Sequence, residues 1–217
     1  MKIVLRIGGS VLVPSDIDSA FLNLVVGEIR KIRTHHTLFV VVGGGKTARR
    51  YIEAARQFVS EESVLDELGI LSSRLNALLL ATCLPEGELV QNFHEVLHAK
   101  GLPVLGGTTP GQTTDTVASL LAELVQAEMV IKVSNVDGIY TADPHLDPKA
   151  EKMSVMTYED LNRLLHRDFT AGISSVIDPV AAKIISKNRL KVIVIGKKDM
   201  IDVQKVISGN HSGTTIG

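Results

Sequence analysis

Short apolar runs alternate along the chain with longer segments in which apolar residues recur every three or four positions. The short runs predict β-strands at residues 3–7, 37–42, 103–105, 129–133 and 191–195. The longer segments predict helices at residues 21–32, 46–58, 72–83, 114–126, 157–165, 179–187 and 199–207. Residues 214–216 are predicted as an edge strand. This alternation predicts an α/β fold, a three-layer α/β/α sandwich in which helices cover both faces of a mostly parallel central sheet.

The composition is that of a globular protein. Hydrophobic residues make up 45% of the chain and charged residues 22%, which excludes a disordered chain. No linker, repeat or low-complexity tract interrupts the pattern, so we expect one domain that spans residues 1–217. The net charge of -1 shows no basic excess, so nucleic acid is not an expected partner.

The sequence also bears on the compartment. No apolar stretch approaches the roughly 20 residues that a membrane span needs, so no membrane association is expected. The N-terminal segment is predicted as a strand and not as a signal peptide. Cys83 is the only cysteine, which excludes an intramolecular disulfide, and its apolar surroundings predict a buried, inert thiol. A cytoplasmic location follows as the expectation.

Glycine-rich loops follow three of the predicted strands. They are residues 8–10 (Gly-Gly-Ser), residues 43–46 (Gly-Gly-Gly-Lys) and residues 106–111 (Gly-Gly-Thr-Thr-Pro-Gly). Bare backbone N–H groups in such loops can approach phosphate oxygens, and a following helix adds a favourable dipole. Tight turns between strand and helix need glycine for structural reasons as well. Three such loops in one chain nevertheless favour a surface that binds polyphosphate.

Two common phosphate-binding motifs do not match these loops. Gly45-Lys46-Thr47 resembles the end of a P-loop, but Val40 stands where that motif needs its first glycine. The dinucleotide pattern G-x-G-x-x-G also fails, because neither N-terminal loop has a third glycine at the required spacing. A phosphate site in this chain therefore needs a different loop design.

Several segments, in order along the whole chain, resemble the amino-acid kinase superfamily and, within it, the UMP kinase family of the archaeal type. The segments are Ile7-Gly8-Gly9-Ser10, Val42-Gly43-Gly44-Gly45, Thr113-Thr114-Asp115, Asn135-Val136-Asp137-Gly138-Ile139-Tyr140-Thr141-Ala142-Asp143-Pro144, Ser175-Val176-Ile177-Asp178-Pro179 and Gly213-Thr214-Thr215-Ile216. The resemblance implies the amino-acid kinase fold. It also implies transfer of the ATP γ-phosphoryl group to UMP, with Mg²⁺, in the biosynthesis of UTP and CTP. The lack of a P-loop agrees with this family.

The resemblance assigns nucleotide-binding residues, with UMP mainly on the N-terminal part of the chain and ATP mainly on the C-terminal part. The positions implied for ATP are Gly9, Ser10, Gly45, Arg49, Ser134, Asn135, Tyr140 and Asp143. The positions implied for UMP are Gly44, Asp66, Thr108, Thr109, Pro110, Gly111, Gln112, Thr113 and Thr114. Arg49 lies one helical turn after Gly45, so its guanidinium is expected to reach back over the loop and bind phosphate.

Three residues are implied for catalysis. Asp115 matches the superfamily's aspartate that organises the cations around the transferred phosphoryl group, although capping a helix would also explain it. Arg6 stands where many members have lysine, and either it supplies that charge in another geometry or it only pairs with a nearby carboxylate. Lys183 matches a second superfamily lysine and is the preferred cation for the transition state, with an exposed helix lysine as its alternative.

Other hypotheses stay open at this point. Another small-molecule kinase of the superfamily is one, although the loop that ends in Arg49 lacks the histidine expected of isopentenyl phosphate kinases. A noncatalytic nucleotide-binding regulator is another. The family forms hexamers, and residues 21–32 and 72–83 are apolar enough for an interface or for plain core. The histidines lack a complete ligand pattern, so no structural metal is predicted.

Overall fold

The structure is a computed structural model that describes residues 1–142, 144, 146–166 and 176–217. The strands are β1 (Lys2–Ile7), β2 (Thr37–Val42), β3 (Gly87–Val90), β4 (Leu102–Leu105), β5 (Met129–Val133), β6 (Ile139–Tyr140), β7 (Lys152–Met153), β8 (Val155–Met156), β9 (Val192–Ile195) and β10 (Thr214–Ile216). The helices are α1 (Gly9–Leu12), α2 (Ser19–Arg33), α3 (Gly45–Ala55), α4 (Glu62–Thr82), α5 (Phe93–His98), α6 (Thr114–Val125), α7 (Tyr158–His166), α8 (Pro179–Asn188) and α9 (Val203–Ile207), and a 3-10 turn (Asp199–Asp202) precedes α9.

The central sheet contains eight strands in the order β3-β4-β2-β1-β5-β9-β10-β8. Neighbouring strands are parallel except for β9 and β10, and β6 pairs with β7 in a separate antiparallel ribbon. Because β1, β2, β4 and β5 are parallel, the loops that follow them meet at one edge of the sheet. The predicted mostly parallel sheet is confirmed. The prediction of an edge strand at 214–216 was wrong, since β8 lies beyond β10.

Alternate side chains of the central strands face two separate cores. Ile3, Leu5 and Ile7 of β1 pack on one face with residues of α2, α4 and α9. Val4 points to the other face, where it belongs to the core formed by α6, α7 and α8. Burial on both faces explains why these strands are almost wholly apolar, and it confirms the three-layer α/β/α architecture. Among the described helices, none combines the length and the apolar character that crossing a bilayer requires.

Two local predictions differ from the structure. Helix α4 begins at Glu62, well before residue 72, because Leu65 and Ile70 bury an apolar face within a stretch whose acidic residues resemble a surface loop. Strand β3 was not predicted, since it is short and half-polar at the edge of the sheet. Cys83, expected to be buried, is half-buried at the C-terminal end of α4.

Glu28 is a buried carboxylate outside the loop region, and it joins α2 to the start of α9. Its side chain accepts a hydrogen bond of 3.1 Å from the Val203 backbone N–H and one of 2.6 Å from the Lys31 ammonium. Glu28 is only 4% exposed. Replacing it with alanine removes the acceptor for a buried N–H, so we expect Glu28→Ala to lower the free energy of unfolding by about 1–3 kcal/mol.

Chemical denaturation measures this effect, with Glu123→Ala as the control. Glu123 lies exposed on α6, and its replacement is expected to change stability by less than about 0.5 kcal/mol. Equal stability of the two variants would contradict the role given to Glu28.

Candidate active site

The loops after β1 and β2 pack directly against each other at the carboxyl edge of the sheet. A Cβ atom on Gly9 would lie 2.2 Å from the Gly43 carbonyl oxygen. Gly45 has a φ of +64°, and a Cβ there would lie 2.4 Å from the Gly9 carbonyl carbon. Side chains are therefore excluded at Gly9 and Gly45, because either one would push the two loops apart.

These loops border a cavity of about 430 Å³, here called the glycine-loop cleft. The residues that line it are Arg6, Gly8, Gly9, Ser10, Val11, Gly43, Gly44, Gly45, Ala48, Arg49, Thr113, Thr114, Asp115, Lys132, Ser134 and Asn135. Helices α3 and α6 both begin at this cleft. Their N-terminal N–H groups and dipoles favour an anion, so the cleft is suited to phosphate.

Polar side chains of α4 hold the glycine loops from behind. The Asn76 amide Nδ2 donates to the carbonyl oxygens of Gly43 at 2.9 Å and Gly44 at 3.3 Å. The Ser73 hydroxyl accepts from the Gly107 N–H at 2.6 Å, and the Arg74 Nε donates to the Gly107 carbonyl oxygen at 3.1 Å. The sequence analysis missed these three residues. Their one signal was polar character at spacings that place them on the helix face turned toward the loops.

A buried charged cluster forms the floor of the glycine-loop cleft. Asp115 Oδ2 lies 2.5 Å from the ammonium of Lys132, and Asp115 Oδ1 lies 2.8 Å from Arg6 Nε. Arg6 Nη2 donates to the hydroxyl of Thr114 at 2.9 Å. Lys132 also donates to the carbonyl oxygen of Val176. Two cations thus share one carboxylate, so these three side chains together carry one positive charge.

The cluster shifts the pKa values of its members. Burial alone would raise the pKa of the Asp115 carboxyl, but the charges of Arg6 and Lys132 outweigh burial and hold that pKa below its usual value. Burial lowers the pKa of the Lys132 ammonium, and Asp115 opposes that shift. Asp115 is therefore an anion in the folded protein over the neutral pH range.

Two linked N-caps position the start of α6. The Thr113 hydroxyl accepts from the backbone N–H groups of Asp115 and Thr116 at 3.1 and 3.2 Å. The same hydroxyl donates to the Asp178 carboxylate at 2.5 Å. Asp178 in turn caps α8 by accepting from the N–H groups of Val180 and Ala181, both at 2.9 Å. This network fixes the backbone that carries Asp115.

A second cavity of about 630 Å³, here called the outer cleft, adjoins the glycine-loop cleft. The residues that line it are Ser10, Val11, Pro14, Ser134, Asn135, Val136, Asp137, Tyr140, Pro144, Gly196, Lys197 and Lys198. The hydroxyl of Tyr140 donates to Asp137 at 2.8 Å and, together with Lys152, holds the pKa of Asp137 below its usual value. Ser10, Ser134 and Asn135 line both clefts, so the two cavities meet at these residues.

Most residues that the resemblance assigned to ATP lie at these two clefts. Arg49 reaches back over the loop, where its Nη2 donates to the Ser10 hydroxyl at 2.8 Å. Gly9, Gly45, Ser134 and Asn135 line the glycine-loop cleft, and Tyr140 lines the outer cleft. Asp143 lies outside the described residues.

The residues assigned to UMP form a neighbouring group. Gly44, Thr113 and Thr114 line the glycine-loop cleft. Asp66 accepts from the Gly111 N–H at 2.6 Å, so it also holds the loop of residues 108–112. Within that loop the Thr108 hydroxyl donates to the side chain of Gln112, and Thr109 and Pro110 lie in the turn between them.

The structure brings Arg6 to Asp115 but places Lys183 elsewhere. Arg6 pairs with the carboxylate and also lines the glycine-loop cleft, so the ion pair is present and the side chain is placed where it can reach a ligand. Lys183 has an exposed side chain on α8 and lines neither cleft. The second cation beside Asp115 is Lys132, which the sequence analysis missed. Its signal was a lone charge within an apolar strand that is buried on both faces.

The chain thus combines an α/β fold with a cleft suited to an anion at the carboxyl edge of its sheet, the place where proteins of this architecture bind phosphorylated ligands. The model of the Amino acid kinase family matches residues 1–196. A uridylate kinase of Thermococcus kodakarensis is 45% identical over 223 residues, with 100% of this chain and 99% of the relative covered. One from Pyrococcus abyssi is likewise 45% identical, with the same coverage.

A solved structure gives the same result. The crystal structure of uridylate kinase from Archaeoglobus fulgidus has a TM-score of 0.86, with 38% identity and 100% of both chains covered. The chain therefore belongs to the amino acid kinase family, and its full-length relatives carry the name uridylate kinase.

Proposed function

We propose that this chain is a UMP kinase, which transfers the γ-phosphoryl group of ATP to UMP and yields UDP and ADP. This reaction supplies the nucleotides UTP and CTP, and we place it in the cytoplasm. Relatives and a solved structure named uridylate kinase, all covering the full chain, support this activity. Membership of the amino acid kinase family supports the reaction class.

One observation carries the proposal from the structure itself. The glycine-loop cleft adjoins the outer cleft, and the cluster of Arg6, Asp115 and Lys132 lies at its floor. Phosphoryl transfer needs two phosphates in line and positive charge where the equatorial oxygens develop charge. A cleft rimmed by N–H donors with one excess positive charge beneath it meets both needs.

The roles of the loops follow from this arrangement. The outer cleft takes the nucleoside of ATP, with Tyr140 beside it, and the ATP phosphates extend over Ser10 and Gly45. UMP occupies the N-terminal part, with its phosphate on Gly44 and its ribose at Asp66. The loop of residues 108–114 surrounds the uridine. Within one domain of residues 1–217, each nucleotide thus has its own half of the sheet edge.

Arg6 and Arg49 act on the phosphates in this proposal. Arg49 is exposed at the rim and already touches Ser10, so it binds the donor phosphates as they enter. Arg6 has Nε on Asp115 and Nη2 on Thr114, and its remaining N–H groups are available to the transferred phosphoryl group. The charge of Asp115 holds Arg6 nearby, and Asp115 does not itself accept the phosphoryl group. Lys183, being exposed, is the weaker choice for a transition-state cation.

The residues present fit Mg²⁺ that arrives with ATP. Among the described residues no group of three potential carboxylate, histidine or cysteine ligands exists that would form a protein cage. Asp115 Oδ1 lies 2.8 Å from Arg6 Nε and Oδ2 faces Lys132, so the ion is expected on the phosphates of ATP and not on Asp115. Mg²⁺ in kinases is held largely by substrate phosphates and water, with one or two carboxylates. When bound, the ion neutralises phosphate charge.

An assay of ADP release with three acceptors tests the proposed function. With ATP and Mg²⁺, we expect turnover with UMP and none with isopentenyl phosphate. The rate with CMP relative to UMP measures how strictly the enzyme selects the base. Turnover with isopentenyl phosphate alone would replace the proposal with another kinase of the superfamily. ATP binding without turnover of any acceptor would indicate a noncatalytic regulator.

We further propose that the chain assembles as a homohexamer, built through α4. The apolar residues of α2 lie in the core, whereas Leu71, Leu75 and Leu78 form an exposed stripe on α4. These three side chains are 58%, 61% and 46% exposed. An apolar stripe of this kind is typical of a surface that another protein subunit covers.

A charge placed on this stripe is expected to break the assembly. Leu75→Glu should reduce the particle mass measured by size-exclusion chromatography with light scattering, because a carboxylate cannot be buried there without a partner. Glu53→Leu on exposed α3 serves as the control and should leave the mass unchanged. A monomeric wild-type protein, or an unchanged mass of Leu75→Glu, would contradict an interface at α4.

A further inference from the structure

Among the charged residues that line the glycine-loop cleft, Lys132 is the one that the family resemblance does not assign. It lies near the carboxyl end of β5, whose other residues are apolar, and it is 5% exposed. Its ammonium contacts the Asp115 carboxylate at 2.5 Å and the Val176 carbonyl oxygen. Taking an ammonium out of water is costly, so a lysine in this place calls for a specific partner.

The hydrogen bonds of Asp115 show which cation orients it. Oδ2 accepts an aligned hydrogen bond from Lys132. Oδ1 is close to Arg6 Nε, at 2.8 Å, but the N–H does not point at the oxygen, and neither atom has an aligned partner among the described residues. Arg6 therefore attracts the carboxylate by charge, whereas Lys132 fixes its direction.

Lys132 also keeps the positive charge of Arg6 available to a ligand. If Asp115 paired with Arg6 alone, the two charges would cancel, and no net positive charge would remain to stabilise the charge that develops on the transferred group. With Lys132 on the other oxygen, the cluster retains one positive charge in excess. Arg6 and Lys132 both line the cleft, but the Lys132 ammonium is taken up by Asp115 and Val176, whereas Arg6 Nε has no aligned partner in the described part of the chain. The positive charge is thus presented to the ligand mainly through Arg6.

We propose that Lys132 is a positioning residue for phosphoryl transfer: it holds the Asp115 carboxylate in place from β5, so that Arg6 remains directed at the transferred group. This inference rests on the proposed function. Lys132 acts through Asp115 and Arg6.

The charges that face Asp115 determine the expected pH effect. Arg6 approaches from β1 and Lys132 from β5, and Asp178, in the turn before α8, acts on Lys132. Removing Lys132 takes away one of the two cations that hold the pKa of Asp115 down, while burial still favours the neutral acid. The pKa of Asp115 therefore rises. On acidification the variant is expected to lose activity at a higher pH than the wild type does.

The test compares Lys132→Met and Lys132→Gln with Lys2→Met. Gln can still donate to Val176 without a charge, which keeps the test available if Met does not fold. Lys2 also donates its ammonium to a backbone carbonyl oxygen, that of Val125 at 3.0 Å, but lies outside both clefts. We expect both Lys132 variants to lose about 10²-fold in kcat, with little change in either KM, and to shift the acid limb of the kcat profile upward. Lys2→Met should match the wild type.

A folded Lys132 variant with wild-type kcat would overturn the inference. So would a folded variant with reduced kcat whose acid limb stays at the wild-type pH, because that result indicates a structural role alone. Titration of the Asp115 carboxyl by ¹³C NMR gives an independent reading without substrate. A raised pKa of Asp115 in Lys132→Met supports the inference even if UMP is not the acceptor, and an unchanged pKa refutes it. Failure of wild-type turnover with UMP would instead refute the proposed function.

Discussion

Gly9→Ala is expected to reduce turnover by about 10²-fold or more, because the added methyl group pushes apart the two loops that form the phosphate site. The new Cβ would lie 2.2 Å from the Gly43 carbonyl oxygen and 2.4 Å from the Gly45 backbone nitrogen. Neither contact can be relieved by a side-chain rotation, since both partners are backbone atoms. The displaced loops carry the N–H groups on which donor and acceptor phosphates must align. Steady-state kinetics of ADP release measures the loss.

The same substitution at Gly27 provides the control. Gly27 lies within α2, and a Cβ there meets no atom within 4 Å. Gly27→Ala should retain full activity and gain about 0.5–1 kcal/mol of stability, because alanine has the higher helix propensity. Gly9→Ala is expected to lose about 1–3 kcal/mol from overpacking. Wild-type kinetics in folded Gly9→Ala would show that the contact between the loops does not matter for the reaction.

Asp115→Asn should lower both activity and stability. The amide has the shape of the carboxylate but no charge, so Arg6 and buried Lys132 would face each other without a counter-ion. We expect kcat to fall by about 10²–10³-fold, because the cations are no longer held for the transferred group. Leaving Lys132 unpaired should cost about 3–5 kcal/mol in the free energy of unfolding.

The double variant Asp115→Asn/Lys132→Met separates the two effects. It removes the unpaired ammonium together with the carboxylate, so most of the lost stability should return while the activity stays low. Denaturation and kinetics on the same three preparations measure this. Recovery of activity along with stability would show that Asp115 serves the fold and not the reaction.

The fold was largely predictable because both faces of the sheet are covered. Strands buried on two sides must be apolar throughout, and this made β2 and β5 recognisable with the bounds that the structure has. The start of α4 was not predictable in the same way. Its first half places acidic residues next to Gly69, a composition that local patterns assign to a loop, and only packing against α3 gives Leu65 a buried partner surface. The pairing of β8 with β10 likewise depends on contacts between distant segments.

The site residues divide in the same way: some are predictable from local sequence patterns, and others depend on contacts between distant segments. Glycine loops after strands are a local signal, and they marked the cleft correctly at Gly9 and Gly45. The choice between Lys132 and Lys183 as the partner of Asp115 was not local, since both are lysines within regular elements. Register decides it, because Lys132 pairs with Arg6 across β5 and β1, and both therefore point to the face where Asp115 lies.

Asn76 determines which backbone atoms of the glycine loop after β2 face the cleft. Its side-chain amide donates to both the Gly43 and Gly44 carbonyl oxygens, so these two acceptors are turned toward the interior of the protein. A carbonyl oxygen facing the cleft would repel phosphate. By occupying both acceptors with one buried amide, α4 leaves the opposite, electropositive side of these peptide units for the ligand. The affinity for an anion is thus set partly by a side chain that the anion never meets.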